Sequence, residues 1–326
     1  MALVFMDSFD HYSTSNLTEK WPLSQAGSIQ AGGGRHGTDS FRALADNQWA
    51  CRLFPASGTW IVGMSVRWST NILLNTCPML EWGDGTTPQG RVAMNNVGQV
   101  VLLRGSGTVL ATSTVSLGYD TAYYLEWLLT IHHTSGVSTV RVDGIPVVSV
   151  SSADTQAAGP ATANRLRIGN LQAGAGLENL EIDDLYVCNG LGSPNNTFLG
   201  DCRVHYLPPV GDATYRAWSP SSGTDHYGVV DETPPNGDGD YLASSTTGQR
   251  DTHLFAPLPG MPSPVVKGVQ NLASLGKDDA GTRLVRNLLI SSGTEALGPT
   301  VHTLAMSYVY STETHETDPA TSAPWT

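Results

Sequence analysis

The sequence predicts an all-β protein made of two β-sandwich domains. Three observations predict it: apolar residues alternating with period two, Gly, Asn and Ser turns between short apolar runs, and no helical pattern of about 10–15 residues between those runs. At 326 residues the chain is long enough for two cores, and 40% hydrophobic residues supply the material for them.

The first candidate strands are Trp60 to Trp68 and Arg91 to Leu103. From Tyr123 to Ile131 the odd positions Tyr123, Leu125, Trp127, Leu129 and Ile131 form one apolar face, as a half-buried strand requires. Ser138 to Val142 follows, and Asp143-Gly144 then leads into Ile145 to Val150. An Asp-Gly pair between apolar runs is a strong hairpin signal. Leu166 to Ile168 and Glu181 to Val187 complete the first domain, residues 1–187. The stretch 188–200, which contains Asn189-Gly190 and Ser193-Pro194-Asn195-Asn196, forms turns throughout and reads as a linker. The second domain, residues 201–326, has candidate strands at Arg203 to Leu207, Val265 to Asn271, Arg283 to Ser291 and Thr300 to Tyr310. No fixed-period repeat or heptad pattern interrupts this reading.

Charge removes one class of function. With 17 Lys+Arg against 29 Asp+Glu, the formal net charge is −12, whereas a nucleic-acid binder presents a basic stripe to phosphates. The lysines Lys20, Lys267 and Lys277 are scattered. The closest arginines, Arg165 with Arg167 and Arg283 with Arg286, read as solvent-facing strand positions. No apolar run is long enough to span a bilayer, and the start lacks the pattern of a secretory signal, so synthesis and folding in a cytoplasm are expected. Cys51, Cys77, Cys188 and Cys202 are far apart and read as buried thiols.

Few residues suggest chemistry. Glu181 and Asp183 share a strand face, but positions 185 and 186 are Leu and Tyr where a glycosidase would need its second carboxylate. Asp183 and Asp184 therefore read as a strand end bonded to turn amides. No G-x-S-x-G elbow or phosphate-binding glycine loop occurs, and His132-His133 would leave a strand on opposite faces. Asn236, Asp238 and Asp240 have the spacing that opens a calcium loop. Tyr241 stands where that loop needs Gly, and Thr247 where it needs Glu, so an acidic turn is the preferred reading and no other cofactor is expected. Trp49, Trp60, Trp68, Trp82 and Trp127 read as core.

Two resemblances add to this reading. Tyr124-Leu125-Glu126-Trp127, Val140 to Gly144, Leu166-Arg167-Ile168-Gly169 and Ile182 to Val187 resemble the closing strands of a laminin-G or concanavalin A-like jelly roll. Met6 to Tyr12 with Lys20-Trp21, Phe198 to Val204, Val230-Asp231-Glu232, Lys277 to Arg283 and Glu316 to Thr326 resemble recurring blocks of a family of tailed-bacteriophage virion structural proteins. That resemblance implies a non-enzymatic virion component, tail, fibre or baseplate-associated, made in the host bacterial cytoplasm. Its partners would be other virion proteins and copies of itself, with no nucleic acid and no membrane insertion. A capsid decoration protein is the alternative within that family, and a carbohydrate-binding adhesin whose N-terminal jelly roll contacts host polysaccharide is the competing reading. Members of that family run on past the final block, whereas this sequence stops at Thr326, which predicts an exposed sheet edge for another chain to pair with.

Overall fold

The computed structural model describes residues 2–69, 76–173, 179–260 and 265–325, so Thr326 lies outside the described residues. The chain is all-β and divides into two compact units: residues 1–9 with 20–204, and residues 10–19 with 205–326. The stretch 188–200 is part of the first unit rather than a free connection, and ten residues near the start belong to the second.

The first unit is a β-sandwich of two antiparallel sheets. Its strands in chain order are β1 (Leu3–Asp7), β2 (Ser28–Gln30), β3 (Ser40–Ala43), β4 (Gln48–Ser57), β5 (Thr59–Arg67), β6 (Thr76–Asp84) and β7 (Thr87–Asn95). They continue as β8 (Gln99–Arg104), β9 (Thr108–Ser116), β10 (Tyr123–Thr130), β11 (Gly136–Val142), β12 (Ile145–Ala153), β13 (Ala163–Asn170) and β14 (Leu180–Cys188). One sheet runs β12-β11-β10-β5-β14-β3-β2, with β1 also on β14; the other runs β4-β13-β6-β7-β8-β9. The run Arg91 to Leu103 is two strands, because Gly98, at φ +79°, closes a turn back to Asn95. The Asp143-Gly144 hairpin forms as predicted: both residues have positive φ, and the Asp143 carboxylate accepts the Tyr124 amide at 2.8 Å.

Alternation assigns the faces. Trp60, Val62, Met64 and Val66 of β5 are buried toward the second sheet, where Trp60 stacks on Trp82 of β6 with centroids 4.0 Å apart. Trp68 and Trp127 are also core, whereas Trp49 is only half-buried. The opposite face of β5 carries Gly63, Ser65 and Arg67. A β-bulge at Asp184 (φ +50°) sets two residues of β14 opposite one of β5, which turns Asp183 and Tyr186 onto that outer face together. Tyr186 fits because Gly63 has no side chain; a Cβ there would lie 2.0 Å from the ring.

The second unit spreads its strands over five two-stranded ribbons, the longest being Val269–Leu275 with Val309–His315 and Pro209–Arg216 with Asp251–Phe255. Among the described residues its buried apolar side chains are Tyr12, Leu17, Val229 and Tyr310, and His11 packs against Tyr12, Tyr206 and Tyr310 at 4.7–5.4 Å. Polar contacts do more of the ordering here. Asp251 Oδ2 accepts His226 Nδ1 at 2.8 Å and the Trp218 amide at 3.2 Å, while its Oδ1 faces His253 Nε2 at 3.7 Å.

Burial holds His253 below the usual imidazole pKa, against the pull of Asp251 and Asp212 and with a small push from His226. Its folded pKa is depressed, so the unfolded chain takes up the proton first. The stability this gives is intact above the ordinary histidine pKa and is lost as pH falls below it. Denaturation midpoints of the wild type should therefore fall between pH 7.5 and 5, and His253→Asn should show a shallower fall. Equal slopes for the two proteins would refute this assignment.

Candidate functional site

The outer face of β5 and β14 carries the polar cluster that the sequence signalled only in part. Glu181 sits opposite Arg67 and Asp183 opposite Ser65, so the cross-strand register alone brings a carboxylate to a guanidinium and another to a hydroxyl. Arg67 donates to Glu181 Oε2 from Nε at 2.8 Å and from Nη2 at 2.5 Å. Glu181 is mostly buried while Arg67 is half exposed, so the pair forms a rim whose guanidinium edge meets solvent.

Asp183 is tied down by its surroundings. Its Oδ1 accepts the Asp184 amide at 2.6 Å, and its Oδ2 accepts the Arg35 amide at 3.3 Å and the Thr38 hydroxyl at 3.2 Å. The loop amide of Arg35 matches the contact expected of it, but Asp183 and Asp184 lie inside β14 rather than at a strand end, because pairing with β5 continues past the bulge. The loop between β2 and β3 presses its backbone onto both carboxylates, which requires glycine. A Cβ at Gly34 would lie 2.4 Å from Asp183 Oδ2, and one at Gly33 would lie 3.1 Å from Glu181 Oε1.

Arg35 closes the far side. Its Nε donates to Asp184 at 2.9 Å and its Nη2 to the Cys202 carbonyl at 2.6 Å, with Asp201 also within 2.5 Å. Burial works against its charge, but the hydrogen bonds to Asp201 and Asp184 outweigh burial and raise its pKa, so it stays a cation. His36 beside it is held below the ordinary imidazole pKa by burial and by Arg203 and Arg35, so it is neutral at pH 7. Segment 198–204 is pinned over the neighbouring part of this face. Buried Glu126 accepts Tyr186 Oη at 2.5 Å and the Gly200 amide at 2.8 Å, and Asp184 accepts the Val204 amide at 2.7 Å. Burial first, and Glu126 second, push the Tyr186 phenol well above its normal pKa and keep it a donor.

These groups enclose a cavity of about 220 Å³ lined by Gly33, Gly34, Arg35, Ser65, Arg67 and Glu181, with Asp120, Ala122 and Asp183 completing the wall. Tyr119, next to Asp120 in the chain, is 58% exposed. The cavity thus offers carboxylate acceptors, guanidinium donors and a hydroxyl that can do either.

Other residues singled out in the sequence lie elsewhere. Asn236 donates its side-chain amide to Asp240, whereas Asp238 accepts Tyr308 Oη at 2.8 Å, so the three do not turn toward one shared point. Among the described residues no group of three or more His, Cys, Asp or Glu is placed to hold a metal ion. His132 Nδ1 accepts the amides of Thr134 and Ser135 at 3.0 and 3.1 Å, while His133 faces Asp154. Cys51, Cys77 and Cys188 are buried and Cys202 is partly buried, all as free thiols. Arg165 and Arg167, read as solvent-facing, are instead 13% and 16% exposed because both lean onto buried Glu81.

No family model and no curated protein matches the chain. Among solved structures it is similar to the cellulose-induced protein Cip1, with 15% identity, a TM-score of 0.44, and coverage of 57% of this chain and 95% of that one. It is similar to the alginate lyase Aly36B, with 12% identity, a TM-score of 0.41, and coverage of 56% and 95%. The endo-β-1,4-glucuronan lyase of the fungus Trichoderma reesei aligns with 10% identity, a TM-score of 0.41, and coverage of 52% and 91%. A Trypanosoma rangeli sialidase aligns over 46% of this chain, which spans only 25% of the sialidase. These neighbours include two lyases and a sialidase rather than virion components. Those neighbours run against the expectation of a non-enzymatic phage structural protein, in tail, fibre, baseplate or capsid decoration, and that expectation is withdrawn, while a likeness at TM-scores of 0.37–0.41 assigns no activity to this chain.

Proposed function

We propose that the first unit binds a neutral, hydroxyl-rich saccharide in the cavity between Glu181, Arg67 and Arg35. The observation that carries this reading is the pairing of fixed acceptors and fixed donors around one cavity: Glu181 and Asp183 against Arg67 and Arg35, held by register and by the Gly33-Gly34 backbone. A sugar hydroxyl donates one hydrogen bond and accepts others, so a wall alternating carboxylate and guanidinium satisfies it where an apolar wall would not. Charge selects the class. Glu181, Asp183 and Asp120 outnumber Arg35 and Arg67 in the lining, which disfavours an acidic sugar there.

Calorimetric titration of the full chain with a panel of neutral mono- and oligosaccharides is the direct test. At least one should bind saturably, and Glu181→Gln should weaken it by about 10- to 100-fold, the equivalent of one hydrogen bond to a charged group. Arg67 is half exposed, so that variant should keep its fold. No saturable binding across the panel, or equal affinity in Glu181→Gln, would refute the proposal.

A further inference from the structure

The second sheet carries a separate cluster on its own outer face. Arg167 of β13, Glu81 of β6 and Arg91 of β7 stand in one cross-strand row, and Arg165 lies one step along β13, opposite Gly83. Glu81 is fully buried; its Oε2 accepts Arg91 Nε at 2.7 Å, with Nη2 of that guanidinium also at 2.7 Å, and its Oε1 accepts Arg165 Nη2 at 2.8 Å and Arg167 Nη1 at 3.4 Å. One carboxylate thus receives a hydrogen bond from each of the three arginines. Three guanidinium charges around one carboxylate leave an excess of two positive charges at a site where the arginine side chains are only 13–16% exposed.

Among the described residues Glu81 is the one carboxylate that pairs with these arginines. Cys51, Ala93, Val101 and Leu103 flank the row on the same face and are buried and apolar. Burial pushes the Cys51 thiol up to about 11, despite the opposing pull of Arg165 and Arg167, so it supplies no thiolate. Nε of Arg165 and Nε of Arg167 are buried without a hydrogen-bond partner among the described residues. The site is nonetheless shaped for its guanidinia. A Cβ at Gly83 would come within 2.9 Å of Arg165 Nη2, and Arg167 lies 4.2 Å over the Trp49 ring. Unpaired donors in a low-dielectric wall are costly, and an anion entering over the exposed guanidinium edges would relieve that cost.

We propose that Arg91, Arg165 and Arg167, fixed in place by Glu81, form a binding site for the oxyanion group of a ligand: a carboxylate, sulfate or phosphate. Glu81 acts as the template that aligns the three guanidinia, and the ligand's oxyanion takes the remaining N–H groups as paired charge-assisted hydrogen bonds. The site lies on the opposite outer face of the sandwich from the saccharide cavity and does not depend on that reading.

The test is titration of the full chain at low ionic strength with sodium glucuronate, sodium sulfate and sodium phosphate, against sodium chloride at matched ionic strength. At least one of the three should bind saturably where chloride does not. Glucuronate binding identifies a carboxylate ligand, and sulfate or phosphate binding identifies a tetrahedral oxyanion. Arg165→Gln should weaken binding at least 10-fold. Arg167→Lys, which keeps the charge and removes the planar fork, should weaken it less and serves if the first variant fails to fold. Glu181→Gln in the saccharide cavity should leave it unchanged. Failure of all three anions to exceed chloride would overturn the proposal, as would full affinity in both arginine variants.

Discussion

Asp7→Ala should destabilise the first unit by about 3–5 kcal/mol, the range for breaking one side of a buried ion pair. Lys20 Nζ lies 2.9 Å from Asp7 Oδ1, and neither side chain is exposed. The same carboxylate accepts the Trp21 indole N–H at 2.7 Å and the Phe9 amide at 3.0 Å. The last contact matters because Phe9 sits at φ +61°, a left-handed conformation that a bulky residue adopts only when its surroundings hold it there. Removing Asp7 therefore takes the carboxylate 2.9 Å away from a fully buried ammonium and releases the turn that leads the chain out of β1. Urea denaturation followed by tryptophan fluorescence checks this. Asp7→Ala/Lys20→Met should recover part of the loss, since it removes the buried charge and fills the space with apolar atoms. A loss under 1 kcal/mol for Asp7→Ala would show that the pair is not structural.

The first unit was legible in the sequence wherever contacts are local. Asp143-Gly144 announces its hairpin because the turn chemistry lies within the two residues themselves. The shared face of Glu181 and Asp183 follows from period two alone. What could not be read is which strands become neighbours. Arg67 meets Glu181 across 114 residues, and nothing in either segment names the other. Alternation placed Arg165 and Arg167 on one face but could not say that buried Glu81 would draw them down, since that needs β13 beside β6. The stretch 188–204 shows the same limit. Its turn-rich composition is genuine, yet Leu199 and Gly200 donate backbone amides to Tyr186 and Glu126, so a segment that reads as a tether is partly held against a sheet. Composition reports local conformational freedom, whereas docking is decided by distant partners.

Glu81→Leu should cost the first unit about 3–5 kcal/mol for a related reason, since it too removes a buried carboxylate and leaves cations behind. The substitution keeps volume close to native and removes the one carboxylate that Arg91, Arg165 and Arg167 share. Arg165 and Arg167 on one side of β6 and Arg91 on the other then face position 81 with no anion between them, and their repulsion goes unopposed. Their partial exposure lets water and salt screen some of that repulsion, so the loss should shrink as ionic strength rises. For Asp7→Ala, where the affected lysine is fully buried, salt should change little. Measuring both variants by urea denaturation in low and high sodium chloride separates the two environments. Equal salt dependence in the two would mean that the arginine row is no more open to solvent than the buried lysine, and an oxyanion could then not reach it.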